Sequence, residues 1–333
     1  MGIAPQLLPL NQVEHFYRGG RRIAALRGGS PDGAPNRPEE WLGSMTTMTS
    51  APGQGLSRLA DGTLLRTAIE ADPVGWLGAE HAARFGASTE LLVKLLDAGQ
   101  RLPVHFHPDR AFARRHLGLV HGKNEAWIVL HADEGAKVRL GFAETLRALD
   151  VRAMLGDSAA LLGALREVEV RPGDAVLVPA GFAHSIDAGI FVLELQEPTD
   201  LSILLEGADL AVDIEAGGHL GLGFDTALEP LRCEAVTDDE LDQLIVRADH
   251  KTADLLPPAA GPYFRAHRIG QSEVDAGFAI VVVLAGEGML VAESGDRLAL
   301  HRGDAAVVPH ASGRWSLAGP IEAIACRPPR GED

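Results

Sequence analysis

The stretch Val104-His105-Phe106-His107-Pro108 decides how this sequence reads, together with Gly122-Lys123-Asn124-Glu125 and the run from Gly173 through Pro179 and Gly181 to His184. Histidines at i and i+2 share one face of an extended strand, because strand side chains alternate with a period of two; a helix would place them on different faces. In the later run a turn glycine precedes a strand, Asp174 to Val178, that is apolar after its first residue. The Pro179-Ala180-Gly181 turn then delivers His184 to the start of the next strand. Three imidazoles and one carboxylate suit zinc, manganese, iron, cobalt or nickel, and four protein ligands leave positions open on an ion that takes five or six. The expectation is one divalent metal per chain, zinc first among these, held by His105, His107, Glu125 and His184 on a β-barrel.

The spacing Gly173-x5-Pro179-x-Gly181-x2-His184 resembles the second motif of the cupins; their first motif usually carries its Glu a few residues after His-x-His, whereas here it comes at position 125. The wider set resembles the class I mannose-6-phosphate isomerases, of the short bacterial type. Leu91 to Ala98, with Lys94, followed by Leu102 to Asp109 is similar to that family's lysine-bearing strand and ligand motif. Gly122 to Trp127 is similar to its Gly-Lys-x-Glu segment, Glu40 to Ser44 to its acidic-Trp segment, and Glu194-Leu195-Gln196 to the strand after the last ligand. Two departures stand out. His105 occupies the place of a glutamine ligand, and Leu201 to Leu204 replaces a segment that carries an arginine at the site.

The resemblance implies a mainly β fold of two cupin-type jelly-roll barrels with helical insertions, and an enzyme that interconverts mannose 6-phosphate and fructose 6-phosphate. The metal would act as a Lewis acid while a proton moves between C1 and C2 through a cis-enediol. Lys123 and Arg110 are the candidates for orienting phosphate or a polarised oxygen, Trp41 and Ser44 further candidates for substrate binding. The base is left among Asp109, Lys94 and a metal-bound hydroxide, with Lys123 as a further catalytic candidate. Alternatives are another metal-cupin activity, such as isomerisation of an unphosphorylated sugar or an oxygenase reaction, and a non-catalytic sugar-binding protein.

Forty-six acidic against 30 basic side chains give a formal charge of −16, which argues against a nucleic-acid or anionic-membrane surface. The partner expected is a small sugar or sugar phosphate; the sequence leaves the oligomeric state open. Two isolated cysteines, Cys233 and Cys326, indicate no disulfide framework, and with no signal peptide recognisable at Met1 to Pro5 a cytoplasmic location is expected.

The division expected is 1–205 for the metal-binding barrel, 206–258 for a connection with an acidic helix from Asp238, and 259–333 for a degenerate barrel. Laying Gly303-x5-Pro309 on Gly173-x5-Pro179 puts Arg314 where His184 stands, so the second barrel lacks the ligand. Short strands are expected within Leu7 to Leu26, adding to the first barrel. Helices are expected over Thr63 to Ala71, Pro73 to Phe85 and Asp109 to Leu117, with a helical hairpin over Glu144 to Leu165.

Overall fold

The computed structural model describes residues 3–29, 35–207, 210, 212–248, 253–270 and 272–330. Its architecture is mainly β, and the paired strands run antiparallel. A seven-stranded sheet runs Ile245–Val246, Ala175–Val178, Glu125–Ala132, Ile190–Gln196, Leu92–Asp97, Glu39–Leu42 and Gln12–Val13. A five-stranded sheet runs Ile203–Leu204, His105–Phe106, His184–Ile186, Lys137–Phe142 and Leu165–Glu169.

The eight-stranded C-terminal sheet turns on the strand Ala279–Ala292. Its first part pairs with Ala305–Val308 and Ile321–Arg327, its second part with Arg297–His301 and Trp315–Ala318, with a register shift between Val283 and Ala285. A bulge of this kind bends a strand, which lets one strand serve both faces of a roll. Gln6–Leu7, expected with the first barrel, instead pairs with Ala306 and Val307 of this sheet.

Alternation divides the side chains between two environments. Val93, Leu95, Leu193, Leu195, Ala126 and Ile128 share one apolar core with Ile280, Val282, Val307, Ile324 and Cys326, so the seven-stranded sheet packs against the C-terminal sheet. The residues between them, Lys94, Glu194, Glu125 and Trp127, face the other way, into the first barrel. The C-terminal roll has its own interior around Val281, Val283, Leu290, Trp315 and Leu317.

The hairpin helices Ala148–Ala153 and Ser158–Ala164 press Val151 and Leu161 onto Phe106 and Phe142, covering the outer face of the five-stranded sheet. Asp157 starts the second helix by accepting from the Ala160 N–H at 3.0 Å. Arg21–Arg27, within the stretch expected to be extended, is helical. It buries Ile23, Ala24 and Leu26, and ends at Gly28, whose φ of 79° lets its N–H return to the Ala24 carbonyl. The helix expected from Pro73 to Phe85 breaks at Gly78 (φ 93°), where an added Cβ would lie 2.8 Å from the His310 ring. Close contact with the C-terminal half therefore outweighs helix continuity there.

Candidate metal centre

His105 and His184 are directly paired residues on adjacent strands, and His107 follows His105 by two positions. Each ring is oriented by a backbone carbonyl. Nδ1 of His105 lies 2.8 Å from the Pro103 oxygen, that of His107 2.7 Å from Leu201, and that of His184 2.8 Å from Phe182. A carbonyl oxygen only accepts, so each Nδ1 carries the ring proton and each Nε2 presents a lone pair. The Nε2 atoms of His105 and His184 are 3.0 Å apart. Glu125 brings Oε2 to 3.0 Å from His107 Nε2 and Oε1 to 3.3 Å from His184 Nε2.

All four side chains are buried. Burial pushes the His107 and His184 imidazoles down to about 3, and burial with the neighbouring His184 holds His105 well below its ordinary value, so the rings are neutral near pH 7. Burial works to raise the Glu125 carboxyl, but the Lys123 ammonium beside it overcomes this and holds the carboxylate well below its usual range. Three convergent nitrogen lone pairs beside a buried carboxylate, each ring fixed from behind by a carbonyl, fit a divalent cation. Among the described residues, the three histidines form the one group of this kind placed to hold an ion.

The opposite wall comes from the seven-stranded sheet, whose register sets Trp41, Lys94, Glu194 and Trp127 side by side. Glu39 is a hub. It accepts from Tyr17 Oη, from Trp41 Nε1 at 2.7 Å and from Lys94 Nζ at 3.2 Å, and His15 Nε2 lies 3.2 Å from it. Burial opposes ionisation of Glu39, yet His15 and the Lys94 ammonium beside it hold it well below the carboxylate norm; burial likewise opposes the Lys94 charge, which Glu39 and Glu194 more than restore. Glu194 has no such surplus of donors, and burial pushes its carboxyl up to about 8.

A cavity of about 80 Å³ lies between these walls, lined by Lys94, His105, Lys123, Glu125, Glu194 and Leu204 among others. Of the candidates for catalysis and substrate binding, Lys94 and Lys123 reach it. Lys123 Nζ sits 3.1 Å from both His107 Nε2 and Glu125 Oε2. Trp41 and Ser44 are buried in the protein, the Ser44 hydroxyl donating to the Thr46 carbonyl, and neither lines the cavity. Asp109 caps a short helix by accepting from the Phe112 N–H at 2.7 Å. Arg110 donates to Glu197 and lies over the Tyr263 ring, away from the cavity lining.

Sequence reading gave no role to Glu39, Glu194, Tyr17, His15 or Asp200, all of which line the cavity. A signal existed for Glu194, a lone charge in the apolar strand Ile190–Gln196. In the C-terminal half Arg314 is bound to Glu273 at 3.1 Å and to Glu293 through its backbone N–H.

A search of family models finds no match. A curated mannose-6-phosphate isomerase from Streptococcus mutans is 30% identical over 299 residues, covering 86% of this chain and 89% of that protein. The chain belongs to the mannose-6-phosphate isomerase family. Two solved structures share the fold. The crystal structure of the mannose 6-phosphate isomerase from Bacillus subtilis aligns over 98% of this chain and 100% of that one, with a TM-score of 0.73 and 22% identity. A mannose 6-phosphate isomerase bound with zinc and yttrium aligns over the same shares with a TM-score of 0.72 and 17% identity. Within the mannose-6-phosphate isomerase family, then, this member carries an imidazole at His105 and an aliphatic side chain at Leu204, facing the cavity.

Proposed function

We propose that the protein interconverts mannose 6-phosphate and fructose 6-phosphate with one divalent ion, zinc, held by His105, His107, His184 and Glu125. The observation that carries this reading is the convergence of three Nε2 lone pairs on a buried carboxylate in a member of this family. Zinc is the ion named with one solved relative, and a donor set of three nitrogens and one oxygen suits it. A bound divalent ion supplies Lewis-acid polarisation of the sugar oxygens.

The chain's own residues handle the proton. Glu194, with its carboxyl pushed up to about 8, exchanges a proton readily near neutral pH, so we assign it the transfer between C1 and C2. Lys94 lies beside it in the row and Lys123 Nζ lies 4.0 Å from its Oε1, where both stabilise the anion left after the proton leaves. The buried wall excludes water from the enediol. Cys233 and Cys326 are free thiols, and no helix among the described residues is long and apolar enough to cross a membrane. A cytoplasmic setting is the location we propose.

The test is isomerisation of mannose 6-phosphate and of free mannose by metal-loaded protein. Leu204, and a cavity lined by no arginine among the described residues, favour one second reading, an isomerase of the unphosphorylated sugar, which equal turnover of the two substrates would support.

A further inference from the structure

Antiparallel pairing of the strands Arg265–Ile269 and Ile321–Arg327 sets Arg265 directly opposite Arg327. Alternation fixes the face they share. Leu255, Ala266 and Cys326 turn into the core packed on the seven-stranded sheet, so their neighbours Asp254, Arg265, His267 and Arg327 lie on the other side. Like charges directly opposite each other destabilise a sheet, and a buried charge without a counterion is costlier still. Arg327 is only 7% exposed, and Arg265 is half-buried.

Neither guanidinium meets a carboxylate. Arg265 Nε donates to the Pro328 carbonyl at 2.9 Å and an Nη of Arg327 to the Ala276 carbonyl at 2.9 Å, while the buried Nε of Arg327 has no hydrogen-bond partner among the described residues. Asp254 is committed to His267 at 2.6 Å, and Asp275 attracts both arginines from beyond ion-pair distance. Elsewhere in this acidic chain the partly buried Arg27, Arg101 and Arg232 each hold a carboxylate. Burial and the adjoining Arg327 and Arg330 charges push the Arg265 guanidinium down to about 10, as crowding among cations requires.

A cavity of about 280 Å³ opens at this place, and it shares no lining residue with the cavity beside the histidines. Arg265 and Arg330 line it. Arg330 is exposed, with no hydrogen-bond or ion-pair partner among the described residues, and Arg265 keeps its Nη donors. Leu256, Pro257 and Phe264 supply an apolar part of the lining. Guanidiniums with donors to spare recognise carboxylate and phosphate oxygens, and an apolar wall suits a carbon body attached to them.

We propose that Arg265, Arg327 and Arg330 form an anion site in the C-terminal half of the chain, for a small organic oxyanion, a phosphate monoester or a carboxylate. The anion's charge relieves the repulsion between the arginines, and its carbon body lies on Leu256, Pro257 and Phe264. The site is separate from the metal centre and does not depend on the isomerase reading.

The test uses full-length, zinc-loaded protein, with calorimetry and thermal melts in phenyl phosphate, succinate and inorganic phosphate. Wild type should bind phenyl phosphate or succinate, the tighter of the two identifying the anionic group, and should melt higher when it does. Inorganic phosphate should bind more weakly than phenyl phosphate, since it leaves the apolar wall uncovered. The binding should persist in His184→Ala, which separates it from any at the metal centre, and in Arg297→Gln, an exposed charge control. Arg265→Gln and Arg330→Gln should each weaken it by roughly ten- to a hundredfold. Without any anion, Arg265→Gln should melt no lower than wild type, because it removes one of two opposed charges. Affinity unchanged in both arginine variants, binding lost in His184→Ala, or no binding of any of the three anions would overturn the site.

Discussion

Nε2 of His105 and Nε2 of His184 face each other at 3.0 Å, and each ring is held from behind by the carbonyl two residues earlier, Pro103 and Phe182. Two lone pairs at that distance repel, and a bound cation turns the repulsion into attraction. The folded chain binds metal through geometry that the unfolded chain lacks, so folding and metal binding are linked.

Metal should therefore raise the melting temperature with the logarithm of its concentration above Kd, by the equivalent of about 2.7 kcal/mol at roughly a hundred times Kd. His184→Ala should abolish the rise and still fold, because the apolar cores do not depend on it. A melting temperature of His184→Ala that still climbs with added metal would remove His184 from the ligand set.

Lys94 neutralises Glu39 in a site closed to water. Lys94→Met should cost about 3–5 kcal/mol in urea unfolding, the penalty of leaving a buried charge without its partner, and the double variant Lys94→Met, Glu39→Gln should recover much of it. A single variant as stable as wild type would show that His15, Tyr17 and Trp41 suffice for Glu39.

Glu194 gives a pH signature with a definite sign. Its folded value, about 8, lies above the ordinary 4.5, so the folded state keeps the proton longer than the unfolded one. The contribution is complete below the ordinary value and is lost as pH rises through the folded value. In chelator, wild type should lose stability relative to Glu194→Gln between about pH 5 and about pH 9. Parallel stability curves for the two proteins would contradict the raised carboxyl.

The four candidate ligands could be read from the sequence because short-range rules place them. A period of two aligns His105 with His107, and a Pro-x-Gly turn sets His184 at a strand start. What decides the opposite wall is long-range register. Trp41, Lys94, Glu194 and Trp127 come from four strands, and no local pattern says that they lie side by side. The strand Gln6–Leu7 found its partner some three hundred residues away, at Ala306 and Val307. Arg21–Arg27 was ambiguous for a different reason. Its three buried residues are spaced as well for a short strand as for about two turns of helix, and the flanking Gly20 and Gly28, both at positive φ, set its limits. Arg110, a candidate site cation by its closeness in sequence to His107, is paired by the fold with Glu197, a long-range contact that no local pattern announces.

The most direct measurement is a coupled assay of mannose 6-phosphate conversion to fructose 6-phosphate, run on one preparation as isolated, after chelation, and after return of one equivalent of zinc, beside His184→Ala. The account predicts turnover that disappears with chelator, returns with about one zinc per chain, and is absent from His184→Ala at every zinc level. Turnover that survives complete metal removal, or a zinc-replete wild type that converts no mannose 6-phosphate, would contradict it.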